Sequence, residues 1–298
     1  MTATMNETQH DDELVSETDE AVARKKIDLV VPGLILTVVG LSLVLFLVYV
    51  MFFTTLRQER SQHQLLNIFT TPAGAVPLSG KLPANGTPAA VLTIPSIGVR
   101  QLVLQGTTAV ETAQGPGILT QAARPGTIGN AVIIGRKMTA AAPFANLDQL
   151  RKGQSIYVAS GLGKFRYVVF KYGIATPGQV DPASPVNRPQ LTLVTSNNPV
   201  GSSDLYYVVA RQLTKPGATA RVRRPPTAAE LGLAGYPGAV LPSILLGLLY
   251  LVAISLTVVA YRRYRANTWT IYLLTTPIIL AVALWWFENL YLLLPASM

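Results

Sequence analysis

The chemistry open to this chain is defined first by the side chains it lacks. No cysteine occurs among its 298 residues, which excludes disulfides, thiolate nucleophiles and cysteine-ligated metals. Both histidines, His10 and His63, lie ahead of the strand-rich stretch described below. An imidazole base or ligand is therefore not available inside it. Between residues 88 and 215 the acids are Glu111, Asp148, Asp181 and Asp204, set against twelve Lys or Arg residues. That leaves hydroxyls, amines and guanidinium groups. A serine hydroxyl attacks a carbonyl only when a neighbouring base takes its proton. A guanidinium cannot be that base, because its pKa lies above ~12. A lysine can, if it is desolvated. A positive surface favours anionic surroundings such as cell-envelope polymers or lipid head groups. No nucleic-acid motif accompanies it, so nucleic acid is not expected as a partner. Gly161-Leu162-Gly163-Lys164 ends like a phosphate loop but lacks the earlier glycine. It reads as a hairpin turn, and no cofactor is expected.

The elements that must position these groups follow from hydropathy and turn chemistry. Half of the residues are hydrophobic and 13% are charged, a balance that predicts membrane segments. Residues 1–26 form an acidic tail ending in Arg24-Lys25-Lys26. A membrane helix is predicted over 27–54, with its apolar run from Val30 to Phe53. A linker follows over 55–89, polar at Arg57 to His63 and then rich in Pro, Gly, Ala and Ser. From 90 to 215 short strands separated by Gly and Pro are predicted near Ala90–Ile94, Arg100–Leu104, Ala131–Gly135, Ser155–Val158, Phe165–Ile174, Gln190–Thr195 and Leu205–Gln212. Pro143 to Leu150 reads as a short helix. Many short strands with few helices predict a mainly β domain, a barrel or a sandwich. A second linker covers 216–237. Two further membrane helices are expected over 238–261 and 268–294, with Glu288 near an interfacial belt of Trp285, Trp286 and Tyr291. Arg24, Lys25 and Lys26 place the amino terminus in the cytoplasm, and Arg262, Arg263 and Arg265 place the hairpin loop there. The strand-rich domain is then extracytoplasmic on a multi-pass protein of the plasma membrane.

Several motifs occur in order within this domain. Leu92-Thr93-Ile94-Pro95-Ser96-Ile97-Gly98-Val99 opens it. Pro125-Gly126 and Gly129-Asn130-Ala131-Val132-Ile133-Ile134-Gly135 follow, then Phe144 to Gln154 with Asn146-Leu147-Asp148-Gln149-Leu150 at its centre. Leu191-Thr192-Leu193-Val194-Thr195-Ser196 and Leu205 to Leu213 close the series. The domain thus resembles the sortase family over most of its length. The proline-rich linker is similar to class E, and the carboxyl-terminal membrane segments are similar to those of pilin-building class C. The resemblance implies a closed β-barrel with a short helix. It also implies cysteine transpeptidase chemistry on a sorting-signal peptide, with a cysteine nucleophile, a histidine acid–base and an arginine donor. The matching positions here are Ser196 for the cysteine, Arg136 for the histidine and about Leu205 for the arginine.

With all three positions changed, the resemblance implies a protein inactive as a cysteine transpeptidase. Peptide binding or scaffolding at the cell envelope then becomes the expected role. The groove would use Arg136, Thr195 and Ser196, with a sorting-signal-like peptide or an active sortase as partner. One alternative is a serine-dependent transpeptidase or hydrolase using Ser196, with Lys137 as base. Adjacent strand residues point to opposite faces, so a groove-facing Arg136 would turn Lys137 away. Another alternative is a structural subunit of a membrane assembly. Read without the family, Ser196 is a hydroxyl closing a strand end and Arg136 is a surface cation.

Overall fold

The computed structural model of the protein describes residues 37, 39–70, 84–176, 181–198, 203–215, 227, 230–263 and 268–298. The acidic tail, the tip of the helical hairpin and most of both linkers lie outside the described residues. Residues 1–48 form one unit, described only as helix within 37–48. Tyr49–Met298 form the second.

Eight strands close into a barrel: β1 (Pro88–Ile94), β2 (Val99–Gln105), β3 (Gly117–Ile118), β4 (Gly129–Ile134), β5 (Ser155–Ser160), β6 (Gly163–Ala175), β7 (Pro189–Ser196) and β8 (Leu205–Gln212). Their order round the barrel is β1-β2-β3-β4-β7-β8-β6-β5, returning to β1. The β2–β3 and β4–β7 pairs are parallel and the others antiparallel. Closure removes the exposed edges on which strands aggregate.

The central strands show why the sequence folds this way. Ala131 and Ile133 of β4, with Leu191 and Leu193 of β7, fill the barrel interior beside Phe144, Leu147 and Tyr167. Their neighbours Val132, Ile134 and Val194 form a second cluster on the outer face with Leu205, Tyr207 and Val209. Leu231 and Leu233 cover that cluster. Both faces of β4 and β7 are therefore dry, and the strands read as unbroken apolar runs rather than alternating ones. Gly126 lets the loop before β4 lie against the barrel. A Cβ there would stand 2.2 Å from the Phe165 ring, while the Gly126 amide donates to the Tyr167 hydroxyl at 2.7 Å.

The predicted strands are all present. Three local features differ from expectation. The two-residue β3 is too short to carry a pattern. A one-turn helix, α2 (Ala109–Thr112), sits between β2 and β3, closed by a capping box of Thr108 and Glu111. The helix expected over Pro143–Leu150 is reduced to a 3₁₀ turn at Leu147–Gln149. The Phe144 ring lies over Gly135, where a Cβ would come within 2.5 Å of it. The Phe144 amide donates to the Arg136 carbonyl at 3.0 Å. This loop is folded back onto the barrel end, which leaves too little chain for a regular helix.

Among the described residues, three helices are long and apolar enough to cross a membrane: Val39–Gln62, Pro237–Ala260 and Leu273–Tyr291. The first does not end near Phe53. It passes through a π-helical turn at Tyr49–Phe53 and continues as α1 (Thr54–Thr70) through the segment expected to be linker. Strong helix formers dominate Leu56 to Leu66, interrupted only by Ser61 and His63, and account for this. The face bearing Gln58 and Gln62 is buried. Gln62 reaches β2, where its Oε1 accepts from the Leu102 amide at 2.7 Å. Its Nε2 donates to the carbonyls of Leu102 and Gln114 at 3.1 and 2.9 Å.

Helices α3 (Val240–Arg263) and α4 (Thr268–Tyr291) pack as the expected hairpin. Trp286 stacks on Tyr250, with ring centroids 5.4 Å apart. Glu288 forms an ion pair with Arg57 of α1.

Candidate functional site

The site is built where the parallel strands β4 and β7 end side by side. Their register runs from Gly129 opposite Pro189 to Ile134 opposite Val194. Continued by two residues, it brings Arg136 level with Ser196. The Gly135 amide extends the ladder to the Val194 carbonyl at 3.0 Å. The Thr195 hydroxyl ties the strands together by donating to the Gly135 carbonyl at 2.8 Å. On the other side Ser196 pairs with Leu205, the first residue of β8. Ser196, Thr195, Arg136 and Leu205 thus share one end of the barrel, as the motif order requires.

Their side chains do different things there. The Ser196 hydroxyl donates to the Asn198 carbonyl at 2.9 Å, within its own turn. Its proton is held by a carbonyl, which cannot carry it away. Leu205 is 3% exposed and belongs to the outer apolar cluster. It offers no donor to an oxyanion.

Arg136 is not the surface cation expected from its charge. It has no exposed surface. Its guanidinium donates to Thr139 Oγ1 and to the Ala109 carbonyl, both at 3.0 Å. It also lies 4.6 Å from the centre of the Tyr291 ring at the end of α4. Among the described residues no carboxylate pairs with it, and its Nε has no hydrogen-bond partner. Burial pulls its pKa below the usual arginine value, an effect that Tyr291 partly opposes. The stacked ring is the kind of partner that lets a guanidinium be buried.

Arg136 and Lys137 do point to opposite sides, but the assignment is the reverse of the one anticipated. Arg136 turns to α2 and Tyr291. Lys137 crosses to the β7 end, where its Nζ donates to the Asn197 carbonyl at 3.1 Å and stands 3.8 Å from the Asp148 carboxylate. Amine and serine are therefore neighbours through Asn197, each already engaged with a carbonyl. Among the described residues no group of three or more His, Cys, Asp and Glu side chains converges on one point.

The remaining component carries no motif or periodicity that would mark it in the sequence. Residues 295–298 enter the site after α4. The Ser297 carbonyl accepts from the amides of Ser196 and Lys137, both at 3.3 Å. The main-chain oxygen of Met298 accepts from Lys137, Met138 and Thr139 at 3.1, 2.8 and 3.3 Å. Just beyond, Ala140, Ala141 and Ala142 all hold positive φ, between 43° and 51°. This costly conformation for residues with a Cβ follows directly on the three converging amides. Ser196, Asn198, Ser203, Asp204, Leu205 and Leu233 line a pocket of about 170 Å³ beside this segment.

The Sortase domain family model matches residues 92–213. Several solved structures are similar. A sortase E from Streptomyces avermitilis is 30% identical, covering 45% of this chain and 93% of its own, with a TM-score of 0.40. A sortase D5 transpeptidase from Clostridium perfringens is 23% identical, covering 53% and 98%, with a TM-score of 0.46. A sortase C from the same organism, solved with the C-terminal cell wall sorting motif, is 18% identical, covering 54% and 88%, with a TM-score of 0.42. No curated protein matches. Through the barrel domain that carries all of these motifs, the chain belongs to the sortase family.

Proposed function

We propose that this protein is a membrane-anchored sortase relative that binds an extended peptide at the ends of β4 and β7 without cleaving it. One observation carries the reading. At the end of β7, the position of the family nucleophile, stands a serine whose hydroxyl is bonded to the Asn198 carbonyl. Around it the amides of Ser196, Lys137, Met138 and Thr139 point at main-chain oxygens, the groups an extended peptide presents. Donors of this kind suit peptide recognition. Catalysis would further need a nucleophile and a base in contact, and the domain contains neither thiol nor imidazole. Sortases bind sorting-signal peptides, and a peptide of that class is the natural occupant.

The test is direct. Full-length protein in detergent micelles, mixed with a sorting-signal peptide and an amine acceptor, should give no acyl-enzyme by intact-mass spectrometry and no transpeptidation product. An acyl adduct that Ser196→Ala abolishes would establish the serine enzyme instead.

The reading also requires the barrel to face the envelope. The basic groups at Arg24–Lys26 and Arg262–Arg265 favour an extracytoplasmic barrel on three spans. An alkaline phosphatase moiety inserted among residues 216–226 should then be active, and one inserted among residues 264–267 silent. The opposite pattern overturns this topology.

A further inference from the structure

The amide cluster at the site is not empty, because the chain itself fills it. After α4, residues 292–297 run beside residues 232–236. The Tyr236 amide donates to the Leu292 carbonyl at 2.7 Å, and the Ser297 amide and hydroxyl both donate to the Gly232 carbonyl, at 3.0 and 2.8 Å. Two glycines make this run possible. A Cβ at Gly235 would stand 2.1 Å from the Leu293 carbonyl oxygen, and one at Gly232 would stand 3.1 Å from Ser297. Gly232 also takes a φ of +78°, which favours glycine. Pressed between this strip and the barrel end, Ala296 is fully buried and Ser297 is 2% exposed. The two oxygens that follow satisfy the amides of Ser196, Lys137, Met138 and Thr139.

We infer that residues 295–298 are an intramolecular ligand of the groove, and that another peptide enters only by displacing them from the same amides. The inference rests on the peptide-binding reading above. The contacts at the groove itself are made by main-chain oxygens, which any extended peptide also carries. Buried amides do not tolerate being left without an acceptor. Ser196 and Thr139 are buried, so their amides at least need an acceptor, and the exchange is one main-chain oxygen for another. Three of the five bonds to the groove are 3.3 Å long, at the weak end of the range. The pocket of about 170 Å³ beside Pro295, Ser297 and Met298 leaves side-chain space that this segment does not fill. A peptide with a larger side chain at that position would gain contacts the resident segment lacks.

The natural absence of cysteine makes the test clean. In full-length protein in micelles, Ser297→Cys should react with a maleimide at least about tenfold more slowly than Leu213→Cys, as expected of a group released only by local opening. Leu213 is the reference because it is 59% exposed. Excess synthetic peptide Leu-Leu-Pro-Ala-Ser-Met, copying residues 293–298, should raise the Ser297→Cys rate and leave the Leu213→Cys rate unchanged. Equal rates without peptide overturn the inference. Protection that no concentration of peptide relieves also overturns it, because the segment would then be a fixed part of the fold. A chain shortened after Leu292 separates this outcome from failure of the broader reading. It should bind the fluorescent hexapeptide saturably, more tightly than the intact chain does. Binding by the shortened chain despite an unprotected Ser297→Cys leaves peptide binding standing without the resident ligand. A protected Ser297→Cys with no binding by the shortened chain overturns peptide binding itself.

Discussion

Replacing Arg136 by alanine should destabilise the barrel by about 3–6 kcal/mol, since two hydrogen bonds from a charged donor are worth ~1.5–3 kcal/mol each. The Thr139 hydroxyl and the Ala109 carbonyl would lose their donor, and the face of Tyr291 would lose its cation. A buried cavity would add to the loss. Arg136→Met keeps most of the volume and removes the cost of burying a charge, so it should recover a large part of the difference. Thermal unfolding in micelles would measure both. Equal, near-zero effects of the two substitutions would mean that the guanidinium is solvated after all. The same geometry bears on rebuilding a transpeptidase. In Ser196→Cys, Arg136→His, Leu205→Arg the new imidazole would start on the path toward Tyr291, and the new arginine would enter the apolar cluster of Val194, Tyr207 and Val209. We expect this triple variant to be less stable than the parent and still to form no acyl intermediate.

The second large effect should come from Gln62. Its amide makes three hydrogen bonds to the main chain of Leu102 and Gln114. Gln62→Ala leaves a buried N–H and two carbonyls unpaired, at a cost of about 1–3 kcal/mol for each group that water cannot reach. Gly115→Ala should act through the same contact, because its Cβ would fall 2.2 Å from Gln62 Nε2. The side chain can swing aside only by giving up those bonds. The double variant should therefore cost little more than either single one. Strict additivity of the two losses in unfolding experiments would show that they disrupt different contacts.

These residues also show what a sequence can reveal. Seven of the eight strands were legible from their apolar runs and turn residues, while the closed barrel and the placing of Ser196 with Leu205 came from the resemblance of the motifs. The capping box of Thr108 and Glu111 is written in the sequence as a Thr-x-x-Glu signal. Arg136 was not legible in this way. A charged residue after a strand reads as surface, and its burial depends on Tyr291, 155 positions away, and on Ala109. Gln62 looked like part of a polar linker for the same reason, since its three partners lie on another element. Residues 295–298 carry no periodicity and no charge. Their place in the groove is set by amides whose geometry belongs to the fold.

The hold of α1 on β2 has a consequence for reach. A catalytic or binding head on a long flexible stalk sweeps a large volume and meets partners far from its anchor. Here the last residue of the first candidate span, Gln62, is itself bonded to the barrel wall, and Arg57 is joined to Glu288 of the third span. The barrel is bonded to α1 directly, so a swing about that joint would have to break the hydrogen bonds of Gln62 to Leu102 and Gln114 first.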